Sequence, residues 1–315
     1  MRVAITGGAG YIGSTLVRDL INEGYEVTTL DNQTTGNYKQ LKQVIHGNVE
    51  LLMGDIKSTK DLDRTFKGAD AVVHMAALSD LDACNNNPEE AVSVNVYGTH
   101  QVVEATRRNG ISRIVFCSSA AVYGTPATTP VSERHATHPL NLYGITKLSG
   151  EKFLDASHTN YGLETINLRF GNVYGIGIYT NWVGVIPKFV ALALDGKPLT
   201  VYGDGFSTRD FVHVEDITQA IILSLTTEGI GGETFNIGNE TTTVNEIAEI
   251  VSNDVEKATD KPVKITHLSP RPGETKEFSY NTAKIRGALC FQPRWKLRNG
   301  IEQIVRYRLA LQKAK

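Results

Sequence analysis

Between the apolar run at residues 3–5 and an amphipathic stretch carrying Ile12, Leu16 and Leu20, the chain reads Thr6-Gly7-Gly8-Ala9-Gly10-Tyr11-Ile12-Gly13. Glycines at three-residue intervals between a strand and a helix meet three separate needs. Gly7 permits a tight turn, Gly10 lets the backbone approach a pyrophosphate, and Gly13 lets the helix pack close to the sheet. The helix N-terminus then offers unpaired N–H groups and the positive end of its dipole to an anion. The second apolar run ends at Leu30-Asp31-Asn32, 24 residues after Gly7, where a carboxylate accepts hydrogen bonds from an adenosine ribose. With no arginine beside it, Asp31 repels a 2′-phosphate, so NAD is expected rather than NADP.

The rest of the first 170 residues continues the same rhythm. Apolar runs at residues 26–30, 49–53, 71–74, 113–117 and 165–168 alternate with longer amphipathic stretches, including one at 89–108 with Ala91, Val94, Gly98, Val102 and Ala105 on one face. This alternation predicts a doubly wound parallel sheet with helices on both faces. From about Gly175 the chain becomes richer in Gly, Pro and Thr, with short strand-like pieces at 199–202, 234–237 and 263–267 and a final helix around Ile301, Ile304, Val305 and Leu309. The expected division is a dinucleotide-binding domain at 1–174, to which part of 205–235 returns, and a smaller mixed α/β domain at 175–315.

Charge and cysteine content narrow the function classes. With 32 basic and 34 acidic residues, the formal charge is −2. No broad positive field exists for nucleic acid or an anionic membrane, so any anion site must be local. Cys84, Cys117 and Cys290 are odd in number and fit neither a disulfide framework nor a metal-ligand pattern. Strand-like sequence from Val3 and the lack of any 18-residue apolar stretch imply neither a secretory signal nor a membrane span. A cytoplasmic protein with no metal is expected.

The spacing Tyr-x-x-x-Lys occurs three times, at Tyr38-Lys42, Tyr143-Lys147 and Tyr280-Lys284. Only Tyr143 opens a helix-like segment downstream of a strand ending Phe116-Cys117-Ser118-Ser119. The other two pairs read as solvated surface residues. At this point the chain resembles, essentially end to end, the extended short-chain dehydrogenase/reductases, and among them the nucleotide-sugar 4-epimerases of the UDP-galactose type. The residues that carry the resemblance are the glycine loop, Asp31-Asn32, Gly54-Asp55-Ile56, His74-Met75-Ala76-Ala77, residues 118–124, Tyr143 to Lys147, residues 169–175, residues 209–213 and Arg271-Pro272-Gly273-Glu274.

The resemblance implies a Rossmann fold, NAD as cofactor, a nucleotide-sugar substrate (a UDP-hexose) and a homodimer through the helix at 89–108 and the one after Tyr143. Tyr143 is then the base that takes the sugar 4-OH proton as hydride leaves C4, Lys147 together with the positive nicotinamide ring lowers its pKa, Lys147 also holds the nicotinamide ribose, and Ser119 bonds the reacting hydroxyl, with Ser118 as the alternative. Tyr11, Ile12, Thr35, Gly36, Asp55, Ile56, Ala76, Ala77, Leu78 and Phe170 join Gly7, Gly10, Gly13, Asp31 and Asn32 around the cofactor. Ser79 stands where the galactose epimerases carry a lysine, implying an exchangeable NAD. On the substrate side, Arg209 and Arg271 match diphosphate contacts, Glu274 a ribose contact, Asn172 a phosphate contact, and Val185, Phe189, Val201 and Tyr202 a uracil pocket. Phe278 matches a gate that, when bulky, disfavours N-acetylated sugars. A 4,6-dehydratase would need acids where Ala120 and Ala121 stand. A 4-reductase and a non-catalytic NAD sensor are the remaining alternatives.

Overall fold

The computed structural model describes residues 1–180, 184–270 and 277–313. Its first part alternates strictly: β1 (Arg2–Thr6), α1 (Tyr11–Asn22), β2 (Glu26–Asp31), α2 (Tyr38–Val44), β3 (Val49–Met53), α3 (Thr59–Phe66) and β4 (Ala71–His74). After α4 (Leu81–Asn86) and α5 (Pro88–Val92), a π turn at Ser93–Gly98 runs into α6 (Thr99–Arg108). Then come β5 (Arg113–Ser119), a 3-10 turn (Ala120–Val122), α7 (Leu142–Tyr161), β6 (Glu164–Phe170) and β7 (Asn172–Tyr174). The remainder comprises α8 (Val185–Leu194), β8 (Leu199–Tyr202), β9 (Thr208–His213), α9 (Val214–Thr226), β10 (Glu233–Ile237), β11 (Glu240–Thr243), α10 (Val244–Thr259), β12 (Ile265–Leu268), α11 (Ala283–Leu289) and α12 (Leu297–Lys313).

Seven parallel strands form the main sheet in the order β10-β6-β5-β4-β1-β2-β3. The central strands are apolar on both faces, with Val3, Ala4 and Ile5 of β1 fully buried, because helices cover the sheet above and below. From β1 the chain moves to β2 on one side and later to β4 on the other. The loops after β1 and β4 therefore diverge at the strands' carboxyl ends, the topological switch point at which doubly wound sheets bind ligands. The fold is the α/β Rossmann type expected, with an added smaller mixed α/β layer.

That layer contains the sheet β11-β9-β7 and the pair β12-β8, over a second core in which Ile186, Phe189, Val190, Ile247, Val251, Ile301 and Ile304 pack together. The chain crosses between layers more than once: α9 packs on α1, and β10 pairs with β6 at the edge of the main sheet.

The stretch at 89–108 is helical throughout, but interrupted by the π turn. The inserted register turns Asn95 into the interior, and Gly98 packs so tightly on Ile56 that a Cβ there would lie 2.5 Å from its Cδ1.

His74 links three elements beneath the switch point. Its Nδ1 lies 2.7 Å from Thr6 Oγ1 on β1 and its Nε2 2.9 Å from Thr99 Oγ1 on α6. Full burial pushes its pKa down to about 3, with the Lys147 charge acting in the same direction. The unfolded chain protonates this residue at its ordinary value and the native one does not, so native stability falls as pH drops below about 6.5. Urea unfolding between pH 7 and 4 should show this loss, and His74→Gln, less stable at pH 7, should flatten the slope by up to one proton, about 1.4 kcal/mol per pH unit.

Candidate active site

The glycine loop has the shape its sequence requires. Gly7 adopts φ +82°, its N–H donates to Leu30 O at 2.8 Å, and a Cβ on it would lie 2.7 Å from Ala76 N of the loop after β4. A Cβ on Gly13 would lie 2.1 Å from Gly7 O, so α1 rests directly on the loop. At Gly10 a Cβ would meet only Gly7 O, at 3.4 Å. No side chain caps α1, whose first backbone bond is Ser14 N to Gly10 O at 2.9 Å. The N–H groups of Tyr11, Ile12 and Gly13 thus precede the helical ladder, a built-in anion site beside a glycine with room around it. This donor set and this space fit a dinucleotide pyrophosphate.

Asp31, at the end of β2, accepts from Ala9 N at 2.9 Å through Oδ2 and from Gln33 N at 2.6 Å through Oδ1. Burial raises its pKa more than these two bonds lower it. The carboxylate therefore supports the glycine loop from below, a contact the sequence did not disclose. Asn32 and Thr35 are exposed beside it, and Gly36 packs so closely that a Cβ would lie 2.3 Å from Ala9 C. Asp55 is half-buried and accepts from Lys57 N at 2.8 Å, while Ile56 is buried in the core under the π turn. Tyr11 Oη donates to Gly175 O at 2.8 Å, tying α1 to the chain beyond β7. In the loop after β4, Ala76 N donates to Thr6 Oγ1 at 3.3 Å. Leu78 is clasped by Asn95, whose Oδ1 accepts from Leu78 N at 2.8 Å and whose Nδ2 donates to Leu78 O at 2.9 Å. Phe170 ends β6, in register with Ser119.

Ser119, Tyr143 and Lys147 converge where β5 ends and α7 begins. Ser119 Oγ accepts from Ala121 N at 3.2 Å. Asn141 caps α7 by accepting from Gly144 N at 2.8 Å, and Gly144 sits where a Cβ would lie 2.5 Å from Ala121 O. The first turn of α7 is thereby pressed onto the residues after Ser119. The Tyr143 phenol is pushed up to about 12 by burial, against a hydrogen bond with Ser119 that lowers it. Lys147 donates to Cys117 O at 2.8 Å, and its Nζ lies 5.8 Å from the Tyr143 ring centroid and 4.9 Å from that of Phe116. Burial drops its pKa to about 8.

The two other Tyr-x-x-x-Lys pairs are not solvated as expected. Lys42 and Lys284 are exposed, but Tyr38 is buried with its hydroxyl 3.1 Å from Leu52 O, and Tyr280 is buried against Tyr123 and Phe278. Strand and helix packing, which the local spacing does not encode, covers both rings.

Of the residues expected to form a uracil pocket, Val185 and Tyr202 are half-buried, whereas Phe189 and Val201 lie inside the second core at 2 % and 0 % exposure. Their side chains are committed to packing, not to a base pocket. Asn172 is exposed, and its Nδ2 donates to Asp210 O at 3.1 Å. Arg209 is half-buried on β9 and its Nη1 donates to Thr208 O at 2.7 Å. Arg271 and Glu274 lie outside the described residues. Phe278 is buried in a small aromatic cluster, its ring 5.0 Å from that of Tyr280 and 6.4 Å from that of Tyr123. Ala120, half-buried, packs against this cluster. Among the described residues no group of His, Cys, Asp and Glu could hold a metal, and no helix is long and apolar enough to cross a membrane.

Residues 3–238 match the model of the NAD dependent epimerase/dehydratase family. The chain is 37 % identical over 314 residues to a putative UDP-glucose 4-epimerase of Methanocaldococcus jannaschii, covering 97 % of each. It is 33 % identical over 316 residues to a dTDP-glucose 4,6-dehydratase of Streptomyces niveus, covering 98 % of this chain and 92 % of that one. The solved UDP-N-acetylglucosamine 4-epimerase of Methanobrevibacter ruminantium, in complex with UDP-N-acetylmuramic acid, superposes with a TM-score of 0.90 at 30 % identity over 98 % of both chains. The chain belongs to the NAD-dependent epimerase/dehydratase family, within the extended short-chain dehydrogenase/reductases. It is an enzyme that uses NAD.

A methyl group at Gly13 has no room, so Gly13→Ala should lose NAD binding and lower the melting temperature, by calorimetric NAD titration and thermal unfolding. Asp31 and the absence of an adjacent arginine should make the wild-type protein bind NADP at least about tenfold more weakly than NAD in the same titration.

Proposed function

We propose that this enzyme is a UDP-glucose/UDP-galactose 4-epimerase. The observation that carries epimerisation over dehydration is the pair Ala120 and Ala121 on the turn after Ser119. Elimination of water across C5 and C6 needs a proton acceptor and donor there, and methyl groups supply neither. The neighbouring buried carboxylate, Glu151, is held by Arg169 on the far side of β5.

In this reading Ser119 bonds the sugar 4-OH and passes its proton to Tyr143, which acts as base and later as acid on the opposite sugar face. Lys147 holds the nicotinamide ribose. NAD, when bound, accepts the C4 hydrogen as hydride and returns it. The 4-keto sugar turns over about its diphosphate tether between the two halves, so the anchor must sit at the diphosphate and the sugar must be held loosely. Arg209 and Asn172, with Arg271, supply that anchor, and Glu274 the nucleoside ribose contact. Arginine's planar fork suits paired phosphate oxygens. Val185 and Tyr202 border the base. Phe278, bulky at the position that matches the family's sugar gate, favours hexoses without an N-acetyl group. Ser79 leaves NAD exchangeable.

We further propose a homodimer through α5, α6 and α7. Val92 of α5, Tyr97 of the π turn that leads into α6 and Ile145 of α7 are 45 %, 50 % and 49 % exposed, an apolar surface on segments that pack together. Ile145→Glu should shift the mass found by light scattering to that of one chain.

Incubation with a panel of nucleotide sugars, followed by separation of 4-epimers, tests the function. UDP-glucose and UDP-galactose should interconvert with no net change at 340 nm, whereas a reductase changes it in bulk and a sensor converts nothing. Turnover of UDP-N-acetylglucosamine at a comparable rate would refute the assignment of the sugar, and formation of a 4-keto-6-deoxy sugar that of the reaction. Tyr143→Phe should lower kcat by at least about 100-fold while leaving NAD bound, by epimer assay and calorimetry.

A further inference from the structure

Glu151 stands one turn beyond Lys147 on α7, so Tyr143, Lys147 and Glu151 recur every four residues along one side of the helix. Its carboxylate is 1 % exposed and held from two strands. Arg169 of β6 donates from Nε to Oε1 at 2.9 Å and from Nη2 to Oε2 at 2.6 Å, and Ser118 Oγ of β5 donates to Oε1 at 2.5 Å. Ser118 and Arg169 are paired in register, and Ser118 immediately precedes Ser119. Arg169 is itself braced: its Nη1 donates to Tyr123 Oη at 2.7 Å, and Tyr123 donates to Asn236 Oδ1 at 2.7 Å.

A buried, paired charge of this kind is a weak source of stability, since apolar residues of similar volume commonly serve as well. It does fix geometry. A bidentate pair plus a third hydrogen bond allows little sliding or rotation of α7 over β5, at a point one turn from Lys147. We infer that Glu151 is a positioning residue: clamped by Arg169 and Ser118, it holds α7 at the rotation that presents Tyr143 and Lys147 to Ser119. The inference rests on the roles proposed above for those three residues. The clamp also places a negative charge behind the lysine. Lys147 otherwise faces the Cys117 carbonyl and thiol from β5, Cys84 from α4, neutral His74 from β4, the Phe116 ring, and Tyr143 on its own helix. Glu151 raises its pKa, against burial.

Two variants separate charge from position. Glu151→Gln leaves the Arg169 cation without its counter-charge, and the double variant Glu151→Met with Arg169→Met removes both charges while conserving volume. In the NAD-free protein, the 13C-lysine resonance of Lys147, assigned with Lys147→Arg, should titrate about half a pH unit or more lower in Glu151→Gln and near its wild-type value in the double variant. With UDP-glucose, kcat should fall at least about tenfold in both, with KM for the sugar nucleotide within about threefold. An unmoved Lys147 titration in Glu151→Gln, or wild-type kcat in either folded variant, overturns the inference. So does a double variant that cannot fold, because the pair would then serve stability alone. If the wild-type enzyme converts no nucleotide sugar, the proposed function fails, while the Lys147 titration still decides whether the clamp acts on the lysine.

Discussion

The contact of Gly13 with the carbonyl of Gly7 sets the geometry from which the rest of the molecule follows. Because no side chain intervenes, α1 lies directly on the loop leaving β1, and its first N–H groups open onto the switch point between β1 and β4. Asp31 secures the loop from the β2 side by accepting from Ala9 N, and the loop after β4 closes in at Ala76. Three strand ends thus converge on one backbone-lined anion site. This arrangement explains how a chain of net charge −2 binds a dinucleotide without a cluster of cations.

A second set of close glycine contacts builds the chemical end of the site. Gly144 lies against the Ala121 carbonyl of the turn after β5, Gly150 against the Phe116 ring of β5, and Lys147 reaches back to the Cys117 carbonyl, so α7 is held close to β5. Both ends of the site therefore rest on a helix glycine packed against the turn that leaves a parallel strand. The ionisable groups there are tuned chiefly by burial, which raises the Tyr143 phenol and lowers the Lys147 amine, so neither sits at its ordinary value. Asn95 joins the two ends by bonding both Leu78 and Thr146 from the π turn.

Much of this was legible in the linear sequence. Strands read as short apolar runs, and the runs at 49–53, 71–74 and 199–202 coincide with β3, β4 and β8. The π turn was not legible, because its flanking residues keep helical spacing and the inserted residue shows only in the direction that Asn95 points. Nor was the burial of Tyr38 and Tyr280, since their Tyr-x-x-x-Lys spacing is identical to that of Tyr143 and Lys147. The depth of Phe189 and Val201 in the second core was equally invisible, an apolar residue near a site being indistinguishable in sequence from one beneath it.

By itself the sequence determined the doubly wound sheet and the dinucleotide loop. Each depends on residues close together in the chain, where spacing maps onto backbone geometry. Only the tertiary structure decided which polar groups meet across it. Glu151 and Arg169 are 18 residues apart, and Tyr123 and Asn236 are 113 apart, yet they form one buried chain of bonds beneath Ser119. Such pairings arise from strand register and helix rotation, which depend on the whole sheet being assembled, and no local pattern specifies them.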